Sequence, residues 1–429
     1  MHDVIVIGAG FTGLSAATAL VAGGASVLVL EALDRVGGRV ESRINGLGER
    51  IDTGGQFACD DMPNVMALLR RHGHPLVSPA FEGRDVSIPS AAPDRLARIG
   101  AASMGLRERY LAIDPADPSV AGLSVAGWLE RQPEDAEAKA AFRSMIQGLW
   151  CHALEDMPLW HLIDNDRRIT NEEYELQHYP ARTMHALADD LAAGLGDRVR
   201  LSTPVTAIAL RAQGVSVSTA AVPHEARTVL VALPPSMAAR LRYEPSLPAP
   251  LERALSVWRG GSVIKLVIRY DRPFWRDAGL SGVVMVRDPV GLFACDIGGD
   301  GAATLAGFVG GPAALHWRTR GLDRVRDDFL ALLAQVLGPE AARPIDVTIR
   351  DWCDDEWSGG AYSDLILDMD ARDAETVIAA GAPPIHFACS EISPSFPGYV
   401  EGAIVAGRLA AERMLNPPAR PARPGRSPT

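Results

Sequence analysis

The sequence predicts an α/β fold organised around a dinucleotide-binding βαβ unit. Three observations carry that prediction. Val4-Ile5-Val6-Ile7 is an unbroken apolar run, as a parallel strand buried on both faces requires. Gly8, Gly10 and Gly13 follow in the spacing G-x-G-x-x-G. A second apolar run, Val27–Leu30, closes on the acid Glu31. Gly8 permits a tight turn, Gly10 lets backbone N–H groups approach a pyrophosphate, and Gly13 lets the following helix lie close on the strand. That helix, expected over Phe11–Ala22, is rich in Ala and Leu and is ended by Gly23-Gly24. Its N-terminus offers unpaired N–H groups and a positive dipole end to an anion. Glu31 is placed to accept hydrogen bonds from a ribose. The glycine spacing alone is weak in a chain with 41 glycines. Strand, glycines, helix, strand and acid in this order are strong.

The next residues, Ala32-Leu-Asp-Arg-Val-Gly37-Gly38-Arg39, narrow the dinucleotide. Gly37 and Gly38 again let backbone approach a ligand. Arg39 is placed to set a planar cation near phosphate. The run resembles the second glycine motif of the flavin amine oxidase family, and the resemblance implies FAD as cofactor, with Ala32, Gly38 and Arg39 beside it.

At 429 residues the chain has room for two domains or one large composite, and 47% apolar residues can fill a substantial core. The net charge of −11 argues against nucleic acid and anionic membranes; it reads first as solubility and only weakly as attraction for cationic substrates. The N-terminus enters a strand at once, so no signal peptide is expected, and no apolar run approaches membrane-spanning length. Cys59, Cys151, Cys295, Cys353 and Cys389 form no C-x-x-C, which favours reduced thiols and a cytoplasmic location. No metal site is expected: His72-Gly-His74 reads as a turn and Asp354-Asp355-Glu356 as a solvated acidic run. The Pro/Arg-rich tail, 416–429, is expected to be disordered.

Residues 40–57 continue the nucleotide unit, with a hairpin expected at Asn45-Gly46. The resemblance implies that Gly54 and Gly55 run past the ribityl chain and that Gln56 and Phe57 border the flavin ring. A helix is expected over Met62–Arg71. Residues 76–190 show helical patterns at Val125–Glu130, Ala136–Cys151, Pro158–Asp164 and Thr183–Gly194, with breakers at Pro115, Pro118 and Pro133. They read as a helical insertion covering part of a substrate cavity. Trp150, His152, Trp160 and His161 are candidate lining residues, although a core or surface place is the stronger reading for each. A strand is expected over Asp197–Val205, and the resemblance sets Val205 against the adenine. Val229–Leu233 runs into Pro234-Pro235, which cannot continue a central ladder. This resembles the family's return to the FAD domain.

Lys265 is the most informative single residue. Only two lysines, Lys139 and Lys265, occur among 42 basic residues, and Lys265 lies in the apolar strand pattern Ser262–Tyr270. Lysine is a compact, titratable donor, and in an apolar setting it needs a partner or a neutral form. The run Gly-Ser-Val-Ile-Lys followed by Pro-Phe-Trp closely resembles monoamine oxidases. There the lysine holds a water beside flavin N5.

Residues 345–363 contain Asp-Trp-Cys-Asp-Asp-Glu-Trp-Ser-Gly-Gly-Ala-Tyr-Ser, which resembles the monoamine oxidase segment with the flavin-linking cysteine. Ala361 stands at the linking position here, implying non-covalent FAD, and Tyr362 is retained. Residues 385–414 resemble the family's closing motif. Ser390 and Glu391 fall toward the ribityl or pyrophosphate region, and Gly398-Tyr399-Val400 opens a helix whose N-terminus faces the flavin pyrimidine. Cys389 stands where the family usually has Gly. Tyr362 and Tyr399 match the two tyrosines that flank the substrate path, where facing rings orient an amine.

The resemblance spans Asp3 to about Leu415. It implies a Rossmann-like, discontinuous FAD-binding domain (1–75, 195–255 and 360–415) and a mixed-sheet and helical substrate-binding domain (76–194 and 256–359). It implies oxidation of an amine to an imine, with O2 reduced to hydrogen peroxide and Lys265, Tyr362 and Tyr399 at the reacting centre. A homodimer is one assembly considered, and the sequence leaves the oligomeric state open. An L-amino-acid oxidase or biosynthetic tailoring oxidase on the same scaffold is the alternative. A desaturase-type oxidase would need a long apolar tunnel, and a non-enzymatic FAD-binding protein would have no use for Lys265, Tyr362 and Tyr399 together.

Overall fold

The computed structural model describes residues 1–79, 81–299 and 302–416. Most of the proposed tail therefore lies outside the described residues. Strand β1 (His2–Ile7) leads through the glycine turn into helix α1 (Phe11–Ala22) and strand β2 (Val27–Leu30). β1 and β2 pair in parallel, Val4 with Val27 through Ile7 with Leu30. β1 also pairs in parallel with His224–Val231 on its other side. Ile385–Phe387 joins the C-terminal half of that strand in parallel, while Gly214–Thr219 pairs antiparallel with its N-terminal half. Val4–Ile7 of β1 and all of β2 are buried, with α1 packed against both strands. The C-terminal helix, Val400–Leu415, crosses α1 at close range: a Cβ on Gly407 would lie 2.2 Å from the Thr12 carbonyl oxygen.

The expected strand Asp197–Val205 is two strands in two places. Val199–Arg200 extends the sheet beyond β2, whereas Val205–Arg211 pairs with Gly214–Thr219 at the opposite side. The intervening Ser-Thr-Pro breaks the ladder, since proline has no N–H to donate.

A second sheet of six strands runs in the order 346–351, 263–269, 304–310, 292–296, 280–286, 84–88. Side chains alternate across it. Ile264, Leu266 and Ile268 pack with Phe329 and Leu333 of helix Leu322–Leu337, while Val267, Cys295, Ala306 and Phe308 form the opposite face. Period-two alternation thus puts Lys265 on the same face as Val267, away from the helix-covered core. The insertion contains the helix Pro93–Leu111, which the expected elements omitted, as well as Val125–Glu130, Ala136–Trp150, Leu159–Arg167 and Met184–Leu195. Among the described residues, no helix is long and apolar enough to cross a membrane.

Candidate active site

A cavity of about 1300 Å³ is lined by residues of both sheets and of the helical insertion. At one end stand Gly8, Gly10, Glu31, Ala32, Gly38, Arg39 and Val205. Gly8 has φ +99°, a left-handed conformation that side chains disfavour. Gly13 is behind the wall; a Cβ there would lie 2.0 Å from the Gly8 carbonyl oxygen, so its hydrogen lets α1 rest on the turn. A Cβ on Gly10 would meet only the Gly37 carbonyl oxygen at 4.0 Å. That position is open. The Glu31 carboxylate accepts from the Ala9 N–H at 2.7 Å and the Leu33 N–H at 3.0 Å. Burial pushes its pKa above the usual carboxylate value.

Two helix N-termini meet this cavity without side-chain caps. Gly10 precedes α1 and Tyr399 precedes the C-terminal helix, and neither donates or accepts a capping bond through its side chain. Gly10, Phe11 and Thr12, and likewise Tyr399, Val400 and Ala403, line the cavity. Each end leaves N–H groups without helical partners and adds a positive dipole end. This donor set, the open place at Gly10 and the Glu31 acceptor fit the pyrophosphate, flavin pyrimidine and ribose of FAD.

Gly54, Gly55, Gln56, Ser390 and Gly398 also line the cavity, but Glu391 does not. It lies behind Arg39, which pairs with its Oε1 at 2.6 Å and donates to Ser390 Oγ at 3.1 Å. Burial would raise the Glu391 pKa, but the Arg39 charge and hydrogen bond outweigh it and hold the carboxyl below its usual value. Glu391 orients Arg39 and Ser390. Cys389 has φ −158°, extended backbone that needs no glycine.

Lys265 is 3% exposed. Its Nζ donates to the Gly54 carbonyl at 2.8 Å and to Gln56 Oε1, and stands 5.7 Å from the Phe308 ring centroid. Burial draws its pKa down to about 8, against the pull of the buried Asp52 carboxylate. Tyr362 and Tyr399 line the same cavity. Tyr362 packs edge-on against Phe308, with centroids 6.1 Å apart, and Tyr399 against Phe396 at 5.9 Å. The Tyr399 hydroxyl donates to Glu175 Oε2 at 2.6 Å. Ala361 also lines the cavity and carries no nucleophile.

Of the four aromatic and histidine candidates in the insertion, only Trp150 is on the cavity wall. His152, Trp160 and His161 are buried behind it, His161 packing edge-on against Trp160 and Trp258. Burial lowers the pKa of His152 to about 4 and of His161 to about 3, so both are neutral structural groups. Asp355 is not solvated as its acidic run suggests. Its carboxylate pairs with Arg350 at 2.6 Å and accepts from the Trp357 and Ser358 N–H groups.

Sequence reasoning also missed Glu175, Arg107 and an apolar wall that includes Ile99, Met104, Met145, Leu149 and Phe293. A start signal, Pro93, and the spacing Ile99, Ser103, Leu106, Tyr110 would have revealed the helix that supplies Ile99 and Arg107. Nothing in Asn-Glu-Glu-Tyr-Glu-Leu marks Glu175 apart from its acidic neighbours.

A single cavity lined by the glycine turn and Glu31 as well as by a buried lysine and two tyrosines defines a flavin oxidoreductase. The chain belongs to the family of flavin containing amine oxidoreductases, whose family model matches residues 11–415, and FAD is its cofactor. It is 28% identical to an L-amino acid dehydrogenase of Synechocystis sp., covering 96% of this chain and 94% of the relative. It is 30% identical to putrescine oxidase of Kocuria rosea, covering 96% and 95%. A solved putrescine oxidase, bound to putrescine, superposes with a TM-score of 0.89 at 28% identity, covering 96% of this chain and 99% of that one.

Proposed function

We propose that the protein oxidises an amine to an imine, which water converts to a carbonyl compound and ammonia, with O2 as electron acceptor and hydrogen peroxide as product. The observation that carries this reading is the buried Lys265 on the cavity face of its strand, in one cavity with Tyr362 and Tyr399. When bound, FAD supplies the acceptor for the two electrons of C–N oxidation. The glycine turn, Glu31 and the two uncapped helix ends bind the dinucleotide. Tyr362 and Tyr399 orient the amine through ring faces and shape. The apolar wall excludes water around it. Lys265, held by Gly54 and Gln56, keeps a titratable N–H donor in a dry site.

The test is anaerobic stopped-flow on Lys265→Met. We expect amine-dependent flavin bleaching to change little and reoxidation by O2 to slow about tenfold or more. Unchanged traces in both half-reactions would remove the role given to Lys265. With Ala361 at the wall, all the flavin should leave in the supernatant on acid precipitation; flavin retained on the protein pellet would contradict non-covalent binding.

A second reading, oxidation of an L-amino acid, is supported by the similarity to an L-amino acid dehydrogenase. Bleaching by α-amino acids and not by simple amines would favour it.

A further inference from the structure

We propose that Glu175 is a specificity-determining residue that receives the second ammonium group of a diamine substrate. The inference rests on the amine-oxidation reading above and names its substrate class.

Glu175 is held in place by the backbone around it. Residues 172 and 173 donate their N–H groups to Asp61 Oδ2 at 2.8 and 2.9 Å. His178 and Ala58 exchange two backbone hydrogen bonds, each 2.9 Å long. The segment between these anchors lines the cavity from Asn171 to Leu176. Within it, Glu175 reaches Tyr399 and accepts its hydroxyl proton through Oε2. Among the described residues, no other hydrogen bond to that carboxylate is formed.

Charge then selects the ligand. Arg107, on the wall beside Glu175, is shared with Asp166, whose Oδ2 lies 3.8 Å from Arg107 Nε and accepts from the Tyr110 hydroxyl. Asp166 Oδ1 is buried without a hydrogen-bond partner. One guanidinium thus serves two carboxylates on this side, Glu175 and Asp166, and burial raises the pKa of both above the usual carboxylate value, so a cation brought beside Glu175 favours its charged form. Glu172 and Glu173, exposed on the same wall, add the same sign. Arg287, also on the cavity wall, is committed to the Pro89 carbonyl at 2.8 Å and lies 4.0 Å from Glu137. A substrate ammonium supplies a cation beside Glu175, and a substrate carboxylate would meet two of its own sign. Tyr399 joins the two halves of the site: its ring flanks the reacting amine and its hydroxyl ends on Glu175. The methylene chain between two amines then has Met145, Leu149 and Phe293 to lie against.

The experiment uses the flavin-loaded protein and measures anaerobic bleaching by two amines of equal length, 1,4-diaminobutane and n-pentylamine. The wild type is expected to be reduced about tenfold more efficiently by the diamine. In Glu175→Gln, which keeps an acceptor for Tyr399, that preference falls about tenfold; in Glu175→Asp, which keeps the charge, part of it returns. Flavin content and far-UV circular dichroism verify that the variants fold. Equal or better reduction of the wild type by n-pentylamine would overturn the inference. So would an equal loss toward both amines in Glu175→Gln, which would make Glu175 only a support for Tyr399. Either result leaves amine oxidation standing. Bound flavin bleached by no amine would remove the underlying reading as well.

Discussion

The two ends of the cavity are built by different means. The nucleotide end is made of backbone: the Gly8 turn, the open place at Gly10 and two helix ends with free N–H groups. The end to which the proposed function assigns the substrate is made of side chains brought from distant segments: Lys265 from a strand, Tyr362 and Tyr399 from two loops, Glu175 from the insertion. Backbone recognition requires particular residue types at fixed spacing, because only glycine gives the turn or leaves the space. Side-chain recognition requires only that the fold deliver a group to a point. The first kind suits a cofactor common to a family, and the second a substrate that differs among its members.

The largest effect should come from breaking the nucleotide end. Gly10→Leu places a side chain in the open space that a Cβ at this position would enter. The purified protein should carry about tenfold less flavin or lower still, with its circular dichroism unchanged. Gly13→Val should lose flavin and fold together, because its Cβ would meet the Gly8 carbonyl oxygen at 2.0 Å. Full flavin content in Gly10→Leu would mean that the dinucleotide runs elsewhere.

A smaller effect should come from pH acting on Lys265. Burial lowers its pKa to about 8, so the charged form is the disfavoured one in the folded protein. Between about 8 and the ordinary lysine value of about 10.4, the unfolded chain binds the proton and the native protein does not, so stability rises with pH across that window. Chemical denaturation at a series of pH values should show this rise in the wild type and not in Lys265→Met. Reoxidation of the reduced flavin should vary with pH near 8 in the wild type alone. A wild-type rate flat from pH 7 to 9 would separate Lys265 from the oxygen step.

How much was legible in the sequence follows the same division. The βαβ unit, the acid at its end and the hairpin over 42–52 were readable because turns and close approaches restrict residue type. Lys265 was readable because a lysine inside an apolar strand breaks the local pattern. Val205 lies on the cavity wall, although the strand expected to end there instead begins there. Glu175 was not readable: its place depends on Asp61 and Ala58, more than a hundred residues earlier. Asp355 looked like part of a solvated acidic run because its partner Arg350 sits across a strand end that no local pattern displays. The Arg39–Glu391 pair joins residues 352 apart, and it turns an expected cofactor contact at Glu391 into support for Arg39.

The smallest expected effect concerns the layer behind both ends, and it shows whether a buried base is there for chemistry or for packing. His161 is buried between Trp160 and Trp258, and neither ring nitrogen has a hydrogen-bond partner. Burial, then the neighbouring Arg168 and His152, lower its pKa to about 3. Between the ordinary histidine value of about 6.5 and that folded value, the unfolded chain takes up a proton that the native protein refuses, so stability falls as pH falls. From pH 6.5 to 4.5 the loss should be on the order of 1–3 kcal/mol. His161→Phe should flatten that slope only in part, because His152, lowered to about 4, contributes to the same acid limb. The readout is the slope of unfolding free energy against pH, so a constant packing cost in the variant does not obscure it. An unchanged slope would mean that His161 is already charged in the fold. Unlike Lys265, His161 should leave the pH dependence of flavin reoxidation as it is in the wild type: both bases are buried, but only Lys265 is on the cavity wall.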